Sequence, residues 1–165
     1  MRLGVLLSLT GVGLGAAACA GGPQPPGAVE GPAPAPVAGY DWFLHKDDAT
    51  ARLAYGLAES DDLRLGLDCD RGSGRLALSA SVPADAPAEI RLEVDDESAT
   101  FAADSEPSQL DDGLFLSAEA RAVEPVFQRF RQTGWLAMWR DGERQTYVAQ
   151  PGSAERIDRF FAFCG

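Results

Sequence analysis

Cysteine has the most distinctive chemistry of the residues in this chain, which carries three copies at Cys19, Cys69 and Cys164. A thiolate serves as a nucleophile or a metal ligand, whereas two thiols in an oxidising compartment join as a disulfide. An odd cysteine count in an exported protein leaves one cysteine for another role. If Cys19 is modified, Cys69 and Cys164 remain as a pair whose bond would close a loop of about 95 residues. A free buried thiol at each of these two positions is the alternative.

His45 is the only histidine, which restricts the catalytic sets that the chain can form. A catalytic triad, a histidine-based zinc site or a Cys–His pair needs a histidine with suitable partners. His45 instead lies next to aromatic residues beside a predicted strand start, so a surface or packing role is favoured. We expect no catalytic set, no metal and no cofactor.

Carboxylates are the other abundant reactive groups, and they give the chain a net charge of −11. A pair of carboxylates can catalyse the hydrolysis of glycans. The chain has four Asp-Asp pairs, which begin at residues 47, 61, 95 and 111, but all four stand in turn sequences. Asp68 and Asp70 partly resemble a calcium loop, yet Gly72 occupies a ligand position and the terminal glutamate is missing. The acidic balance also disfavours nucleic acid and anionic lipid as partners.

The first residues have the pattern of a secretory signal. Arg2 precedes an apolar run over residues 3–14, and three alanines lead to Cys19. The run is too short to cross a bilayer, which takes about 20 residues. Small residues ending on a cysteine resemble the lipobox of bacterial lipoproteins, in which the cysteine is lipidated, although Ala16 stands where leucine is usual. The resemblance implies a signal peptide over residues 1–18 and a lipid anchor on Cys19. Ordinary cleavage near Ala18 or Ala20 is the alternative.

Residues 20–39 consist almost entirely of Gly, Pro and Ala and contain one charge, at Glu30. Such a segment cannot bury enough apolar surface to fold, and its prolines keep it extended over at most about 60 Å. We therefore expect residues 19–39 to be a tether that begins at the lipidated cysteine, and residues 40–165 to be one globular domain. The domain would lie on the periplasmic side of a bacterial membrane, the outer rather than the inner.

Period-2 alternation of apolar residues dominates residues 50–120 and predicts antiparallel strands. Leu63, Leu65, Leu67 and Cys69 share one face of such a strand. Turn sequences separate the strands, and the polar alternate positions indicate that one sheet face meets solvent. The expected fold is mostly β, in the α+β sense, as an antiparallel β-sandwich or a strongly curved sheet with two short helices.

The pattern changes over the last third of the chain. Val123, Phe127 and Phe130 fall at helical spacing, with Pro125 near the start and Gly134 at the end. A hairpin follows over residues 135–149, and a last helix, capped by Ser153, presents a stripe of Ile157, Phe160, Phe161 and Cys164. Cys69 and Cys164 both lie on apolar faces, so a disulfide between them would fasten the C-terminal helix to the sheet.

Tryptophans supply the remaining signal. Trp135 and Trp139 share one face of a strand, and Trp42 lies where the tether meets the domain. Packing in the core is the commoner role of such residues, whereas an exposed face containing these three residues would be a candidate partner surface.

This order of helix, Gly134, apolar hairpin and helix ending in Cys164 is similar to the end of invasion-associated locus B-like periplasmic proteins. Those proteins are β-sandwiches with a terminal cysteine, so the resemblance supports the fold, although the paired cysteines common in that family are missing. It implies no activity.

We expect a non-enzymatic envelope lipoprotein whose domain binds an unknown envelope protein or serves a structural role. Its only membrane contact would be the lipid on Cys19. An inhibitor of a basic enzyme such as a lysozyme is the alternative, and a carboxylate-dependent hydrolase of cell wall or glycan is a third.

Overall fold

The computed structural model describes residues 33–165, which form two antiparallel sheets and two helices, as the sequence predicts. The strands are β1 Tyr40–Lys46, β2 Thr50–Leu57, β3 Leu63–Asp70, β4 Arg75–Val82, β5 Glu89–Val94, β6 Glu97–Ala102, β7 Asp104–Pro107, β8 Leu114–Arg121, β9 Trp135–Arg140 and β10 Glu143–Val148. The helices are α1 Pro125–Thr133 and α2 Ala154–Cys164. Neither helix is long and apolar enough to cross a membrane.

The larger sheet has six strands in the order β1-β2-β3-β4-β8-β7, and the smaller has four in the order β10-β9-β5-β6. The chain passes from the smaller sheet to the larger at Ala103, between β6 and β7. Alternate residues are buried along several strands, most clearly in β4, where Leu76, Leu78, Ala80 and Val82 point into the core. The alternation therefore gives the larger sheet an inner apolar face and an outer face with small and polar residues.

Aromatic side chains fill the core between the sheets and the helices. Trp42, Phe127, Phe130 and Phe160 are completely buried. The Trp42 ring lies 4.8 Å from the Phe130 ring, and its indole N–H donates to the Tyr147 carbonyl oxygen at 3.2 Å. These contacts join β1, α1 and β10.

Helix α1 begins later than the sequence pattern indicated. Val123 lies before the helix and is 65% exposed, and the buried residues of α1 are Val126, Phe127 and Phe130. The reason is Pro125, whose fixed φ and missing N–H suit the first helical position. The helix ends at Gly134, which has a φ of 76° and donates its N–H to the Phe130 carbonyl oxygen at 2.9 Å.

Helix α2 is fastened at both ends. At its start Asp41 accepts hydrogen bonds from the Gln150 N–H at 3.0 Å, the Ser153 hydroxyl at 2.5 Å and the Arg156 guanidinium at 2.9 Å. Ser153 stands at the predicted cap position, but its hydroxyl is committed to Asp41 and makes no cap hydrogen bond to the helix. At the other end, the predicted disulfide joins Cys164 to Cys69.

The six-stranded sheet has two distinct ends, which strand β3 connects. Cys69 lies near one end of β3 and Leu63 at the other, about 20 Å away at the usual rise per residue. We call the end that contains Cys69 the staple end and the end that contains Leu63 the cleft end.

Candidate functional site

A cleft of about 330 Å³ lies on the outer face of the six-stranded sheet at the cleft end. Its floor is made of small residues on β3 and β4, Gly66, Ser79 and Ser81. A Cβ atom at Gly66 would come within 2.5 Å of the Ser79 Oγ and 3.0 Å of an Arg52 guanidinium nitrogen. Glycine at this position therefore leaves room for Arg52 to cross the sheet surface.

A β-bulge shapes one wall of the cleft. Tyr55 pairs with Leu65 and Gly56 pairs with Leu63, so Arg64 is the extra residue. The bulge interrupts the alternation of β3 and puts Leu63 over Gly56, where a Cβ would lie only 2.8 Å from a Leu63 methyl group. Leu63 is consequently 38% exposed and lines the cleft. The sequence pattern, which placed Leu63 on the core face with Leu65, was wrong at this residue.

The bulged Arg64 is held by a short polar network. Its guanidinium makes a two-pronged contact with Asp62, at 2.7 and 2.8 Å, and lies 3.1 Å from the Tyr40 hydroxyl. The Tyr40 hydroxyl also donates to Asp62. Planar, paired contacts of this kind fix orientation as well as adding energy. They anchor the turn that carries Leu63 against the first residue of β1.

The opposite wall is the loop after β7, which displays Leu110. Ser108 Oγ accepts the N–H groups of Leu110 and Asp111 at 3.2 and 3.3 Å, and Asp111 accepts the Gly113 N–H at 2.9 Å. The hydrogen bond from the Gly113 N–H and, to a smaller extent, one from the Ser108 side chain lower the pKa of Asp111 below its ordinary value. Leu110 remains 75% exposed and, with Phe115, makes the wall apolar.

Carboxylates surround this apolar surface. Two further depressions, of about 910 and 540 Å³, extend it along the outer face toward the staple end. Together the three are lined by two arginines, Arg52 and Arg75, and by six acidic residues, Asp61, Asp68, Asp70, Asp104, Glu106 and Glu119. Each arginine is paired with one carboxylate, Arg52 with Asp68 at 3.4 Å and Arg75 with Glu119 at 3.3 Å. The other four acids form no ion pair within residues 33–165.

Asp68 and Glu119 are the carboxylates placed most like a hydrolytic pair, because they flank Ala77 on one face of the sheet. Partial burial raises the pKa of Asp68 above its ordinary value, against the opposing effect of Arg52. Glu119, however, is 84% exposed at its side chain. Each carboxylate already has an arginine partner, so the pair is better explained as two ion pairs than as an acid and a base. Within residues 33–165, no group of three or more His, Cys, Asp or Glu residues is placed to hold a metal ion.

The structure separates the three tryptophans of the proposed partner surface. Trp42 is fully buried between the sheets, so it contributes to no surface. Trp135 and Trp139 do share the outer face of the four-stranded sheet, but Trp135 is only 8% exposed. The three tryptophans therefore form no common exposed face among the described residues: Trp42 packs in the core, which is the commoner role, and Trp135 is covered on its own sheet.

Two arginines cover that outer face. The Arg144 guanidinium lies 5.6 Å from the Trp135 ring and the Arg91 guanidinium 4.7 Å from the Trp139 ring. Glu93 accepts from both arginines, at 2.7 Å from Arg91 and 3.1 Å from Arg144. Burial alone would raise the pKa of Glu93, but Trp139 and the two arginines lower it below its ordinary value.

Of the other residues singled out in the sequence, His45 is exposed on β1 and Cys19 lies outside the described residues. Sequence reasoning missed the cleft residues Leu63, Leu110 and Phe115. One local feature could have pointed to them, because Leu110 is an apolar residue within a turn sequence of Gln and Asp.

Comparison of the chain with protein-family models, with curated proteins and with solved structures finds no match. The assignment of function consequently depends on the geometry of the cleft and its charges.

Proposed function

We propose that this chain is an exported envelope lipoprotein, anchored through Cys19 on the periplasmic side of a membrane, whose domain is a non-enzymatic protein-binding module. The observation that carries the proposal is the cleft, a formed cavity that the exposed side chains of Leu63 and Leu110 line together with a floor of small residues. Exposed leucines beside a formed cavity are typical of contact surfaces.

The cleft is suited to binding because its walls are held in place before a partner arrives. The Arg64 bulge with Asp62 fixes the Leu63 wall, and the hydrogen bonds of Ser108 and Asp111 fix the Leu110 wall. A preformed surface loses little conformational entropy on association, so more of the contact energy appears as affinity.

Site-specific photocross-linking in the native envelope tests this proposal. A photoreactive amino acid would replace Leu110 in one variant and Val123 in a control, because Val123 is a comparably exposed apolar residue outside the cleft. We expect one dominant adduct from position 110, lost when Leu63→Asp is added, and no such adduct from position 123. Equal adducts from both positions, or an adduct at position 110 that survives Leu63→Asp, would contradict a binding role for the cleft.

A second candidate is inhibition of a basic enzyme such as a lysozyme. The observation in its favour is the set of unpaired carboxylates beside the cleft, including Asp61, Asp104 and Glu106, because complementary charge speeds the encounter with a cationic target. A lysozyme protection assay with the full chain tests it. Inhibition that is weakened by Asp61→Asn with Glu106→Gln would support this function, and no inhibition at any concentration would remove it.

The anchor is tested separately, by cell fractionation. We expect the full chain to sediment with membranes and the Cys19→Ala variant to be released in soluble form, since the lipid would be its only membrane attachment. If both forms fractionate alike, Cys19 does not carry the anchor.

A further inference from the structure

The cleft combines two surfaces that are seldom adjacent, an apolar wall and a rim of unneutralised negative charge. Leu63 on one wall and Leu110 with Phe115 on the other make the cavity apolar, while Asp61 and Glu106 line the same cavity. Both acidic residues are exposed, and neither makes an ion pair with a described residue. Among the described residues that line this cavity, Arg52 is the single cation, and it is paired with Asp68.

Lysine and arginine side chains match this combination, because each has an aliphatic stem and a cationic head. Such side chains commonly lay the stem along apolar surface while the charge stays at the solvent edge. Here the stem would pack between Leu63 and Leu110, and the head would lie near Asp61 and Glu106. The Phe115 ring adds an aromatic face on which a guanidinium could stack.

Neither a purely apolar ligand nor a lipid surface fits as well. An apolar ligand would leave the rim carboxylates partly desolvated without a partner, which is unfavourable. An anionic lipid surface would be repelled by the rim and by the net charge of −11.

We infer that the cleft receives a lysine or arginine side chain, flanked by apolar residues, from a basic protein partner. This inference rests on the proposed function, since it names the chemistry of the partner for the same cleft.

Synthetic peptides test the inference on the isotope-labelled full chain by nuclear magnetic resonance. The probe is acetyl-Gly-Leu-Lys-Leu-Arg-Gly-amide. One control peptide has Glu in place of Lys and Arg, and the other has Ser in place of both Leu residues. We expect the probe to shift the amide resonances of Leu63, Leu110 and Phe115, and both control peptides to shift them much less. Added salt should weaken the binding, because the rim charges are exposed.

Neutralising the rim gives the decisive comparison. Asp61→Asn with Glu106→Gln should raise the Kd for the probe by about fivefold, the loss expected for two exposed ion pairs. Asp70→Asn is the matched control, because Asp70 is also an unpaired acid of the outer face but lies at the staple end. It should leave the Kd unchanged.

The possible results separate this inference from the proposed function. If the serine peptide binds as tightly as the probe, charge alone determines the affinity. If the glutamate peptide binds as tightly as the probe, charge makes no contribution to the affinity. Either result would overturn the inference, as would an unchanged Kd in the rim variant. The photocross-link from position 110 that is lost in Leu63→Asp could still form in any of these cases. The domain would then be a binding module, as proposed, but its cleft would bind a different class of ligand.

Discussion

The staple end and the cleft end of the six-stranded sheet are built in opposite ways. At the staple end the chain is closed on itself, since the Cys69–Cys164 bond is reinforced by two backbone hydrogen bonds. The N–H groups of Gly72 and Gly74 donate to the last carbonyl oxygens of α2, at 3.0 and 2.8 Å. At the cleft end a bulge and an exposed loop leave Leu63 uncovered.

The core beside the cleft end contains two buried hydroxyls without a hydrogen bond to any described residue, those of Tyr55 on β2 and Tyr147 on β10. The Tyr147 ring stacks on the Tyr55 ring at 4.7 Å, and its hydroxyl is buried with no hydrogen bond from any described residue. Such a group destabilises a fold by about 1–3 kcal/mol. The contrast indicates that stability is concentrated at one end of the sheet, while the other end tolerates features that a binding surface requires.

Removing the disulfide should have the largest effect of any change at the staple end. The Cys69→Ala/Cys164→Ala variant opens a loop of 95 residues, and we expect a loss of about 3–5 kcal/mol in the free energy of unfolding. Urea denaturation of the variant and the parent chain measures it. A loss below about 1 kcal/mol would mean that the hydrogen bonds of Gly72 and Gly74 fasten α2 without the covalent link.

The sequence predicted the staple end well because its evidence was local and came from two independent patterns. Alternation placed Cys69 on the inner face of its strand, helical spacing placed Cys164 on the apolar stripe of α2, and the disulfide joins them. The cleft end was harder to predict because a bulge does not appear in a sequence of alternating leucines. Leu63 continues the pattern of Leu65, yet the extra residue turns it outward.

The cleft also depends on contacts between residues distant in sequence. The loop that carries Leu110 lies against β3 and β4, and nothing in its own residues specifies that position. The tryptophans show the same limitation. Their shared strand face was predicted correctly, but Arg91 and Arg144, which cover it, come from other strands. Sequence periodicity indicates which residues share a face and does not indicate what covers that face.

Alkaline pH should destabilise the fold through Tyr147, whose buried hydroxyl lies beside Tyr55 and has no hydrogen-bond partner among the described residues. Burial raises the pKa of Tyr147 from an ordinary value of 10.0 to about 12. The unfolded chain releases this proton near pH 10, whereas the folded chain releases it only near pH 12. The free energy of unfolding is therefore unaffected by the titration of Tyr147 below pH 10 and decreases as the pH rises from 10 toward 12. The expected decrease is about 2–3 kcal/mol.

The Tyr147→Phe variant separates the two effects of this hydroxyl. It should be as stable as the parent or about 1 kcal/mol more stable at pH 7, because the unpaired group is gone. It should also lose less stability between pH 10 and 12, with a remaining slope from Tyr55, whose pKa is likewise raised by burial. Urea denaturation across this pH range measures both effects. Parallel pH profiles for the variant and the parent would show that Tyr147 is not the responsible group.

Two glycine substitutions compare the ends of the sheet directly. Gly74 has a φ of 63° at the staple end, where an L-residue is strained, so Gly74→Ala should destabilise the fold by about 1–2 kcal/mol. Gly66→Ala should change stability by less than about 0.5 kcal/mol, since only the mobile ends of Ser79 and Arg52 crowd the new methyl group.

Thermal unfolding of the two glycine variants measures the difference. A larger loss in Gly66→Ala than in Gly74→Ala would mean that the floor of the cleft is more rigid than the staple end. Gly66→Ala should instead weaken binding of the cationic peptide, because the methyl group displaces Arg52 across the floor.

The smallest expected change in stability comes from the exposed leucine of the cleft, and it isolates binding from folding. Leu110→Ser removes an apolar side chain that is 75% exposed, and Val123→Ser removes one that is 65% exposed. Both variants should unfold within about 0.5 kcal/mol of the parent chain, as is usual at surface positions. Peptide titration should nevertheless distinguish them, because only Leu110 lines the cleft. If both variants lose affinity for the peptide, the peptide binds through general surface hydrophobicity. If only Leu110→Ser loses affinity, the peptide contacts the cleft wall, and the exposed leucine at this end of the sheet serves binding rather than stability.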